Sequence, residues 1–431
     1  MASTKISFTP SGAGNLNKWT ISLWLKRAKV GVEQVISSCY ENSNYQTQIK
    51  FESDDQLYFN DENNGNTNGR IVSNAKYRDT HSWYHMVFIW DKDNSTSGDK
   101  IRMYVNGERI TSFSDTGNAP STSSTWNVNG QAMQFGAKVT SDYFEGIMSH
   151  IHFCDGYAYE PTEFGETDST TGEWKIKTSP SVSYGTNGYF WLKDDVATTD
   201  HSPNSNTFTA SGTLTKTEDC PSNVFATNNS LWKQESSRYL THTKGNTMIS
   251  GGGSSTWYQT PATLAFNSGK FYWECKFNAG TNLDKNTAGV IDYEKTQESG
   301  QFQDKTGSVF YKNEDGGETR IDGSTSTADY GTLAQNDILG VAVDMDAATP
   351  TVKFYKNGSL LVTANASSLS GKFVTPAQSV YTSGEYQVNY GNGYFGDSAV
   401  SSAGTNASGI GIFEHDVPAN YTALSTKGLN E

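Results

Sequence analysis

The 431-residue sequence has no long apolar run. A stretch of roughly 18 apolar residues, enough to cross a bilayer, occurs nowhere in it. The opening residues, MASTKISFTPSGAG, also lack the apolar segment of a signal peptide. We therefore expect no membrane insertion and no secretory signal.

Cysteine and basic residues are also scarce. The chain has 4 cysteines, well separated and without a CxxC pair, which argues against a disulfide framework and predicts free thiols in a reducing cytosol. Asp and Glu total 46 against 32 Lys and Arg, a net charge of -14, and no Lys/Arg cluster is interleaved with aromatic residues. Binding to nucleic-acid phosphates needs such a basic footprint. We therefore expect no nucleic-acid partner.

Helical periodicity is the third absence. No window of about a dozen residues repeats its apolar positions with a helical period, whereas 13% of the residues are aromatic and glycines number 41. Short alternating apolar runs between Gly, Asn, Ser and Thr clusters are typical of strands joined by turns. The sequence therefore predicts an all-β protein of two antiparallel β-sandwich (jelly-roll) domains.

A hairpin phrase occurs twice in the chain. IRMYVNGERI covers 101–110 and VKFYKNGSLL covers 352–361, each an alternating run that leads into Asn-Gly. Asn-Gly readily takes the positive φ angles of a type I′ turn, so each copy predicts a β-hairpin. An apolar run and an acidic loop precede both copies, which predicts the same antiparallel meander in two separate domains.

A turn-rich stretch between the two hairpins divides the chain. Residues 1–165 form the first predicted sandwich and carry eight strand candidates. These are WTISLWLKR, EQVISSCY, TQIKF, QLYFN, WYHMVFIW, KIRMYV, MQFGA and IMSHIHFCDGYAY. Residues 166–225 are predicted to be a turn-rich connector packed on its neighbours, with GYFWL as its strand. Residues 226–400 form the second predicted sandwich, and 401–431 an extended C-terminal tail.

Several motifs resemble those of one group of proteins. WTISLWLKR, WYHMVFIWD, IRMYVNGERI and FEGIMSHIHFCDGYAYEPTEFGETD resemble the concanavalin A-like, laminin-G-type jelly rolls in virion proteins of marine (cyanophage-type) and other tailed bacteriophages. YGTNGYFWLKDD, DHSPNSNTFTASG, DCPSNVFAT and the ending VPANYTALSTKGLN are similar to later segments of the same proteins. SGKFYWECKF, DILGVAVDMD and VKFYKNG resemble a SPRY domain. The resemblance implies a concanavalin A-like domain over 1–165 and a SPRY-like domain over 226–400.

Concanavalin A-like sandwiches include laminarinase-type glucanases, so hydrolysis has to be weighed. Retaining glycosidases need two carboxylates about 5 Å apart, which E-x-D-x-E on one strand supplies. The nearest match is VIDYE, where Val290 takes the nucleophile's position and Asp292 and Glu294 remain. No GxSxG, HExxH or GxxxxGK[ST] motif occurs. The chain is predicted not to be an enzyme, with a glycan hydrolase as the less favoured alternative.

His150, His152 and Cys154 form a metal-like pattern in SHIHFCD. Alternation along a strand would put all three on one face, and His-x-His can bind zinc. Residues four apart on a straight strand are about 13 Å apart, too far to share one ion. The resemblance places this strand at the closure of the sandwich, so we favour a packing role.

Asp91, Asp93 and Asp99 in DKDNSTSGD are the calcium candidates. The loop departs from the EF-hand pattern, because Thr96 stands in place of glycine and Arg102 in place of glutamate. Short acidic loops commonly serve as turns, so a solvated hairpin loop is the favoured interpretation. No cofactor is predicted, and calcium is the one alternative left open.

Recognition through loops is the remaining chemistry. Exposed aromatic rings beside Asn and Asp offer stacking faces with hydrogen bonds, which suits sugars or protein epitopes. Core or edge packing is the favoured interpretation for each single cluster. The ligand-binding candidates are Asp142, Tyr143, Phe144, Trp257, Tyr258, Tyr330, Asn392, Tyr394 and Phe395.

The phage resemblance implies a structural virion surface protein, assembled in the bacterial host cytoplasm and exposed as a host-adhesion module of a tail fibre or spike. Its expected partners are a host cell-surface glycan or protein, other virion proteins, and further copies in a homotrimer, so that weak loop contacts gain avidity. The alternative is a capsid decoration or head-fibre protein, which the lack of heptads for a long shaft favours.

Overall fold

The computed structural model describes residues 4–193, 198–233, 240–278, 285–314, 316–326 and 328–430. Their regular structure is mostly antiparallel β-sheet with short 3₁₀ turns, which confirms the all-β prediction. The chain divides into two compact units, Met1–Lys216 (unit 1) and Thr217–Glu431 (unit 2). None of the helical segments in the described part of the chain is long and apolar enough to span a bilayer.

The strands of unit 1 alternate with Gly- and Asn-containing turns, as the sequence predicts. In chain order they are β1 Lys5–Phe8, β2 Lys18–Arg27, β3 Gln34–Asn42, β4 Tyr45–Phe51, β5 Gln56–Asn63, β6 Asn66–Lys76, β7 Tyr84–Asp91, β8 Ile101–Val105, β9 Glu108–Arg109, β10 Phe113–Asp115, β11 Met133–Phe135, β12 Gly146–Asp155, β13 Gly165–Thr167, β14 Trp174–Ile176, β15 Tyr189–Trp191 and β16 Thr209–Ser211. Short 3₁₀ turns lie at Ser97–Asp99 and Pro161–Glu163.

Two large sheets build the sandwich of unit 1. An eight-stranded sheet has the order β10-β6-β5-β4-β3-β11-β1-β16, and a six-stranded sheet has the order β15-β12-β2-β7-β8-β9. β13 and β14 form a separate hairpin. The apolar faces of both sheets supply one buried core, which contains Trp19, Phe59, Trp90, Trp126 and Trp191. Large aromatic side chains bury much area each, so they fill a thin core.

The predicted connector, 166–225, largely completes unit 1 in the structure. β15 pairs with β12 in the six-stranded sheet, and β16 pairs with β1 in the eight-stranded sheet. Tyr189 and Trp191 are fully buried in the core. The segment is therefore a structural part of the first sandwich, and the boundary lies at 216–217.

Unit 2 repeats the pattern of short strands and turns. Its strands are β17 Thr241–Thr243, β18 Met248–Ser250, β19 Trp257–Pro261, β20 Lys270–Phe277, β21 Thr287–Asp292, β22 Ser308–Lys312, β23 Glu318–Ile321, β24 Ser324–Thr325, β25 Ile338–Asp344, β26 Thr351–Lys356, β27 Ser359–Asn365, β28 Val374–Tyr381, β29 Glu385–Asn389, β30 Tyr394–Phe395, β31 Ser398–Ala399 and β32 Thr422–Ala423. Its 3₁₀ turns lie at Tyr293–Gln297, Phe302–Asp304, Ser367–Leu369 and Gly428–Asn430.

Two sheets again enclose an aromatic core. One has the order β17-β18-β29-β20-β25-β26-β27, with β32 parallel to β20, and the other has the order β19-β28-β21-β22-β23-β24. The core between them contains Trp273, Tyr311, Phe354, Tyr386 and Tyr390. The two-sandwich architecture predicted from the sequence is therefore confirmed.

The predicted extended tail, 401–431, packs against unit 2. β32 pairs with β20, and Phe413 and Tyr421 form a buried cluster with Tyr272 on the outer side of that sheet. The backbone of the tail donates hydrogen bonds to the buried carboxylate of Glu274. The tail therefore covers an apolar sheet face.

Both Asn-Gly turns have the predicted conformation. In the β8–β9 hairpin, Asn106 and Gly107 have φ of 50° and 83°. In the β26–β27 hairpin, Asn357 and Gly358 have φ of 47° and 79°. Positive φ at both central residues defines the type I′ turn, whose twist matches that of the strands.

Candidate functional site

The outer side of the eight-stranded sheet in unit 1 is the strongest candidate site. Side chains alternate along a strand, so β5 sends Leu57 and Phe59 into the core and turns Tyr58, Asn60 and Glu62 the other way. We call this outward surface of β3, β4, β5 and β6 the polar face. On this surface Tyr58 and Glu62 are half-buried, and Asn60 is buried.

Strand register continues a row of polar residues from the polar face across seven of the eight strands, from β6 to β16. Asn60 on β5 lies opposite Gln48 on β4 and Arg70 on β6. Neighbouring strands are about 4.8 Å apart, so the row repeats a side chain at that spacing. The full row is Arg70, Asn60, Gln48, Ser38, Gln134, Ser7 and Thr209.

A second row adds rings and a cation. Tyr58 lies opposite Lys50, whose ammonium is 4.7 Å from the centre of the tyrosine ring. Lys50 lies opposite Val35, which forms a bridge with Tyr143 in the loop after β11. The predicted ligand candidate Tyr143 therefore borders the polar face.

Lys50 and Tyr58 on the polar face both keep their protons at neutral pH. Lys50 forms ion pairs with Glu33 at 3.0 Å and Glu52 at 3.2 Å. Burial lowers the pKa of Lys50, but these carboxylates outweigh burial and raise it overall. Burial raises the pKa of the Tyr58 hydroxyl. The face therefore presents a cation and a neutral phenol together.

Asn60 leaves one acceptor without a partner. Its Nδ2 donates to Glu62 Oε1 at 3.1 Å, and Thr67 Oγ1 donates to the same oxygen at 3.1 Å. Asn60 is 2% exposed, and its Oδ1 accepts no hydrogen bond from the described residues. Buried polar atoms are normally satisfied, so a ligand hydroxyl or water is a natural partner for this oxygen.

Carboxylates on β5 do not form the set that a retaining glycosidase needs. The outward positions are Tyr58, Asn60 and Glu62, so one carboxylate stands where E-x-D-x-E would supply three. The VIDYE motif lies in unit 2, where buried Asp292 accepts a hydrogen bond from the backbone of Glu294 at 3.1 Å. Asp292 therefore orders the 3₁₀ turn that follows β21.

A buried serine–histidine pair in unit 1 has the wrong polarity for nucleophilic catalysis. The indole N–H of Trp174 donates to His85 Nδ1 at 3.0 Å. A neutral imidazole then carries its proton on Nε2, which donates to Ser22 Oγ at 2.9 Å. Burial lowers the pKa of His85 to about 3. His85 therefore stays neutral and cannot accept the proton of Ser22.

The structure gives His150, His152 and Cys154 packing roles. The pairing register shifts near His150, which has a φ of 47°, but the rings of His150 and His152 both contact Phe190 and therefore lie on the same side of the sheet. His152 Nδ1 hydrogen-bonds Tyr184 Oη at 2.9 Å, and its ring stacks on Phe190 at 4.0 Å. Within the described ranges, no group of three or more His, Cys, Asp or Glu residues has a metal-binding arrangement.

The three calcium candidates each have a cationic partner. Asp91, Asp93 and Asp99 pair with Lys18 at 3.3 Å, Lys92 at 2.8 Å and Arg109 at 2.6 Å, respectively. A calcium ion needs 6–8 oxygen ligands, and these carboxylates point to separate partners. The arrangement matches a hairpin loop better than a cation site.

The remaining loop candidates of unit 1 lie beside Tyr143. Asp142 is exposed, and its backbone oxygen accepts a hydrogen bond from Val35 at 2.7 Å. Phe144 is half-buried against the core of unit 1. The loop therefore forms a rim of the polar face, with Phe144 as its anchor.

The loop candidates of unit 2 are mostly packing residues. Tyr258 belongs to the core, and Phe395 is buried. Trp257 packs against Tyr381 with ring centres 5.4 Å apart. The others, Tyr330, Asn392 and Tyr394, are buried or half-buried. The structure does not gather these six side chains into one site.

The comparisons with known proteins bear on fold. Residues 2–163 match the family described as the Concanavalin A-like lectin/glucanases superfamily. Unit 1 therefore contains a concanavalin A-like, laminin-G-like domain. No curated protein matches the sequence.

Similar solved structures include SPRY domains and a pentraxin. The SPRY domain of human HERC1 is 18% identical, with 33% of this chain and 87% of that chain covered and a TM-score of 0.29. A further human SPRY domain is 15% identical, with 35% and 93% covered and a TM-score of 0.28. The heptameric SAP-like pentraxin of Limulus polyphemus is 18% identical, with 35% and 76% covered and a TM-score of 0.24.

Sequence reasoning missed most of the polar face. The signal was present in YFNDE, where alternation from Tyr58 places Asn60 and Glu62 on one side and Phe59 and Asp61 on the other. The neighbouring Gln48 and Arg70 could not be added, because the pairing of β4, β5 and β6 sets their position. The carboxylate motif of retaining glycosidases does not include amide side chains, so it gave no signal for this surface.

Proposed function

We propose that this chain is a non-enzymatic adhesion protein that binds a host cell-surface glycan on the polar face of unit 1. In this proposal it is exposed on the surface of a tailed-phage virion, in a tail fibre or spike. The observation that carries the proposal is the row of polar side chains that register places across β3, β4, β5 and β6.

The chemistry of the polar face suits a sugar chain. Amides of Gln48 and Asn60 can donate and accept, the guanidinium of Arg70 donates, and the ring of Tyr58 offers a stacking surface. The match of residues 2–163 to a lectin and glucanase superfamily supports the same ligand class. The phage setting is supported by the motif resemblance described above.

Three observations favour binding over hydrolysis. The outward side of β5 has Glu62 as its one carboxylate. Asp292 accepts a hydrogen bond from the backbone of the 3₁₀ turn that follows it. The imidazole of His85 donates a hydrogen bond to the hydroxyl of Ser22 and does not accept one from it. Weak contacts of this kind gain strength when several copies engage one cell.

A paired substitution tests the binding site. Purified full-length protein and a Tyr58→Ala variant would be applied to arrays of bacterial surface polysaccharides and to host cells. We expect Tyr58→Ala to lose up to about tenfold in affinity, because an aromatic ring that packs on a sugar contributes about 0.5–1.5 kcal/mol. Tyr157→Ala is the matched control, since Tyr157 is an exposed tyrosine of the same unit that stacks on Tyr159.

Two results would contradict the proposed site. If Tyr58→Ala and Tyr157→Ala lost binding equally, the loss would come from a general disturbance of unit 1 and not from a contact on the polar face. Release of reducing sugar by the wild-type protein would contradict the non-enzymatic assignment, and Glu62→Gln would then identify whether the polar face is the source.

Localisation on the particle tests the biological setting. Gold-labelled antibody against this chain should mark the tail tip or fibre of intact virions and should block adsorption to host cells. Label spread over the head, without an effect on adsorption, would instead favour a capsid decoration or head-fibre protein.

A further inference from the structure

The edges of the four large sheets differ in one respect. Native sheets protect their edges by keeping edge strands short or charged, because an exposed edge carries unpaired backbone groups. Seven of the eight edge strands have two to five residues, namely β9, β10, β15, β16, β17, β19 and β24. The eighth, β27, has seven residues, Ser359–Asn365.

The composition of β27 also lacks the usual protection. Its sequence, SLLVTAN, contains no charged residue and no proline. Leu360 is 55% exposed, and Leu361 and Val362 are half-buried at the margin of the core. A bulge interrupts pairing with β26 near the turn, while Val362 to Asn365 keep an unbroken register. An uncharged edge of this kind can accept another strand.

We propose that β27 is a self-association edge, which pairs with β27 of a second copy of this chain around a two-fold axis. Antiparallel pairing of one strand with itself is the contact that two-fold symmetry produces, and dimers of this symmetry are the commonest homo-oligomers. The lack of charge in SLLVTAN matters here, because a charged side chain near the axis would meet its own copy. This inference does not depend on the glycan site.

Net charge makes the proposed contact sensitive to salt. Each chain carries a net charge of -14, so two copies repel one another at long range. Salt screens that repulsion but has little effect on backbone hydrogen bonds and apolar contacts along β27. The dimer should therefore become tighter as ionic strength rises, which is the opposite of an association held by exposed ion pairs.

The test compares two variants with the same added charge. Thr363 is exposed on β27 and lies opposite Lys353, so Thr363→Glu fits within one chain but places two carboxylates near the proposed axis. Ser324→Glu adds the same charge at an exposed position of the short edge strand β24. Sedimentation equilibrium of the full chain should show a wild-type dimer, and Thr363→Glu should raise its dissociation constant about tenfold or more.

Further results separate the outcomes. Ser324→Glu should leave the dimer unchanged, and mixing Thr363→Glu with Thr363→Lys should restore pairing as a heterodimer. A wild-type chain that stays monomeric into the hundred-micromolar range overturns the proposal, and the edge would then suit a strand of a different protein. A dimer or trimer that Thr363→Glu leaves intact overturns it as well.

Discussion

Units 1 and 2 each cover the outer side of one sheet with a later part of their own chain, but they cover opposite kinds of ionisable group. In unit 1 the six-stranded sheet holds His85, which stacks between Trp24 and Trp174 with ring centres 4.8 Å and 5.8 Å away. In unit 2 the sheet around β20 holds Glu274, which is 0% exposed. A buried base and a buried acid thus occupy comparable places.

The covering segments differ in how they satisfy the buried group. Trp174 supplies one indole N–H to His85, which fixes a neutral tautomer. The tail supplies the backbone N–H groups of Glu414 and His415 to Glu274, at 2.9 Å and 2.8 Å. Neutral imidazole is inexpensive to bury, whereas a carboxylate is costly to bury even with donors. Burial accordingly raises the pKa of Glu274 to about 7.

The largest expected effect is that low pH lowers the free energy of unfolding of unit 1 more than that of unit 2. Burial lowers the pKa of His85 to about 3 and that of His152 well below its usual value, so both stay neutral when folded but take up protons when unfolded. Their stabilisation is complete above about pH 6.5 and is lost as pH falls. Going from pH 7 to 5 should cost unit 1 roughly 2 kcal/mol for each histidine.

Unit 2 should change much less over the same range. The folded pKa of Glu274 lies above its unfolded value, so its contribution is complete below about pH 4.5 and is lost as pH rises through about 7. Acid therefore stabilises unit 2 through Glu274, and burial of His242, whose pKa is lowered to about 4, offsets this gain. Hydrogen exchange by mass spectrometry at both pH values measures each unit, and equal losses would contradict this difference.

Glu274→Ala should have the next largest effect and should be confined to unit 2. The change leaves the donors of the tail and the hydroxyl of Tyr272 without their buried acceptor, so we expect a loss of about 3 kcal/mol in the free energy of unfolding. Faster exchange in β20 and the tail would be the signature. Glu294→Ala, at an exposed position of the same unit, is the control and should change little.

Trp174→Ala should have a smaller effect on unit 1. Trp174 is half-buried, so loss of its packing and of one hydrogen bond should cost about 2 kcal/mol. Trp174→Phe retains a ring but removes the donor, and should cost about 1 kcal/mol. Nitrogen-15 NMR of the imidazole should report a changed tautomer of His85 in both variants. An unchanged His85 spectrum would contradict the assigned hydrogen bond.

The smallest effect on stability should come from the polar face. Tyr58→Ala removes a partly exposed ring from a sheet surface, so it should change the free energy of unfolding by about 1 kcal/mol or less. The same change should abolish most glycan binding. A large loss of stability would instead mean that the polar face is a structural surface like the covered faces of the other sheet and of unit 2.

Local sequence determined much of the fold. The alternating runs located β2, β3, β4, β5 and β7, and Asn-Gly located both type I′ hairpins, because alternation and turn geometry are properties of neighbouring residues. β6 was missed, since NTNGRIVSNAK is rich in turn-forming residues and becomes a strand through its pairing with β5.

Tertiary structure alone decided what the later segments and the polar side chains do. Residues 166–216 and 401–431 are rich in turn residues, and only docking onto a sheet makes them covers and edge strands. The row from Arg70 to Ser7 joins residues far apart in the chain, and backbone pairing between strands sets its order. Alternation gives each side chain a face, but inter-strand hydrogen bonds choose its neighbours.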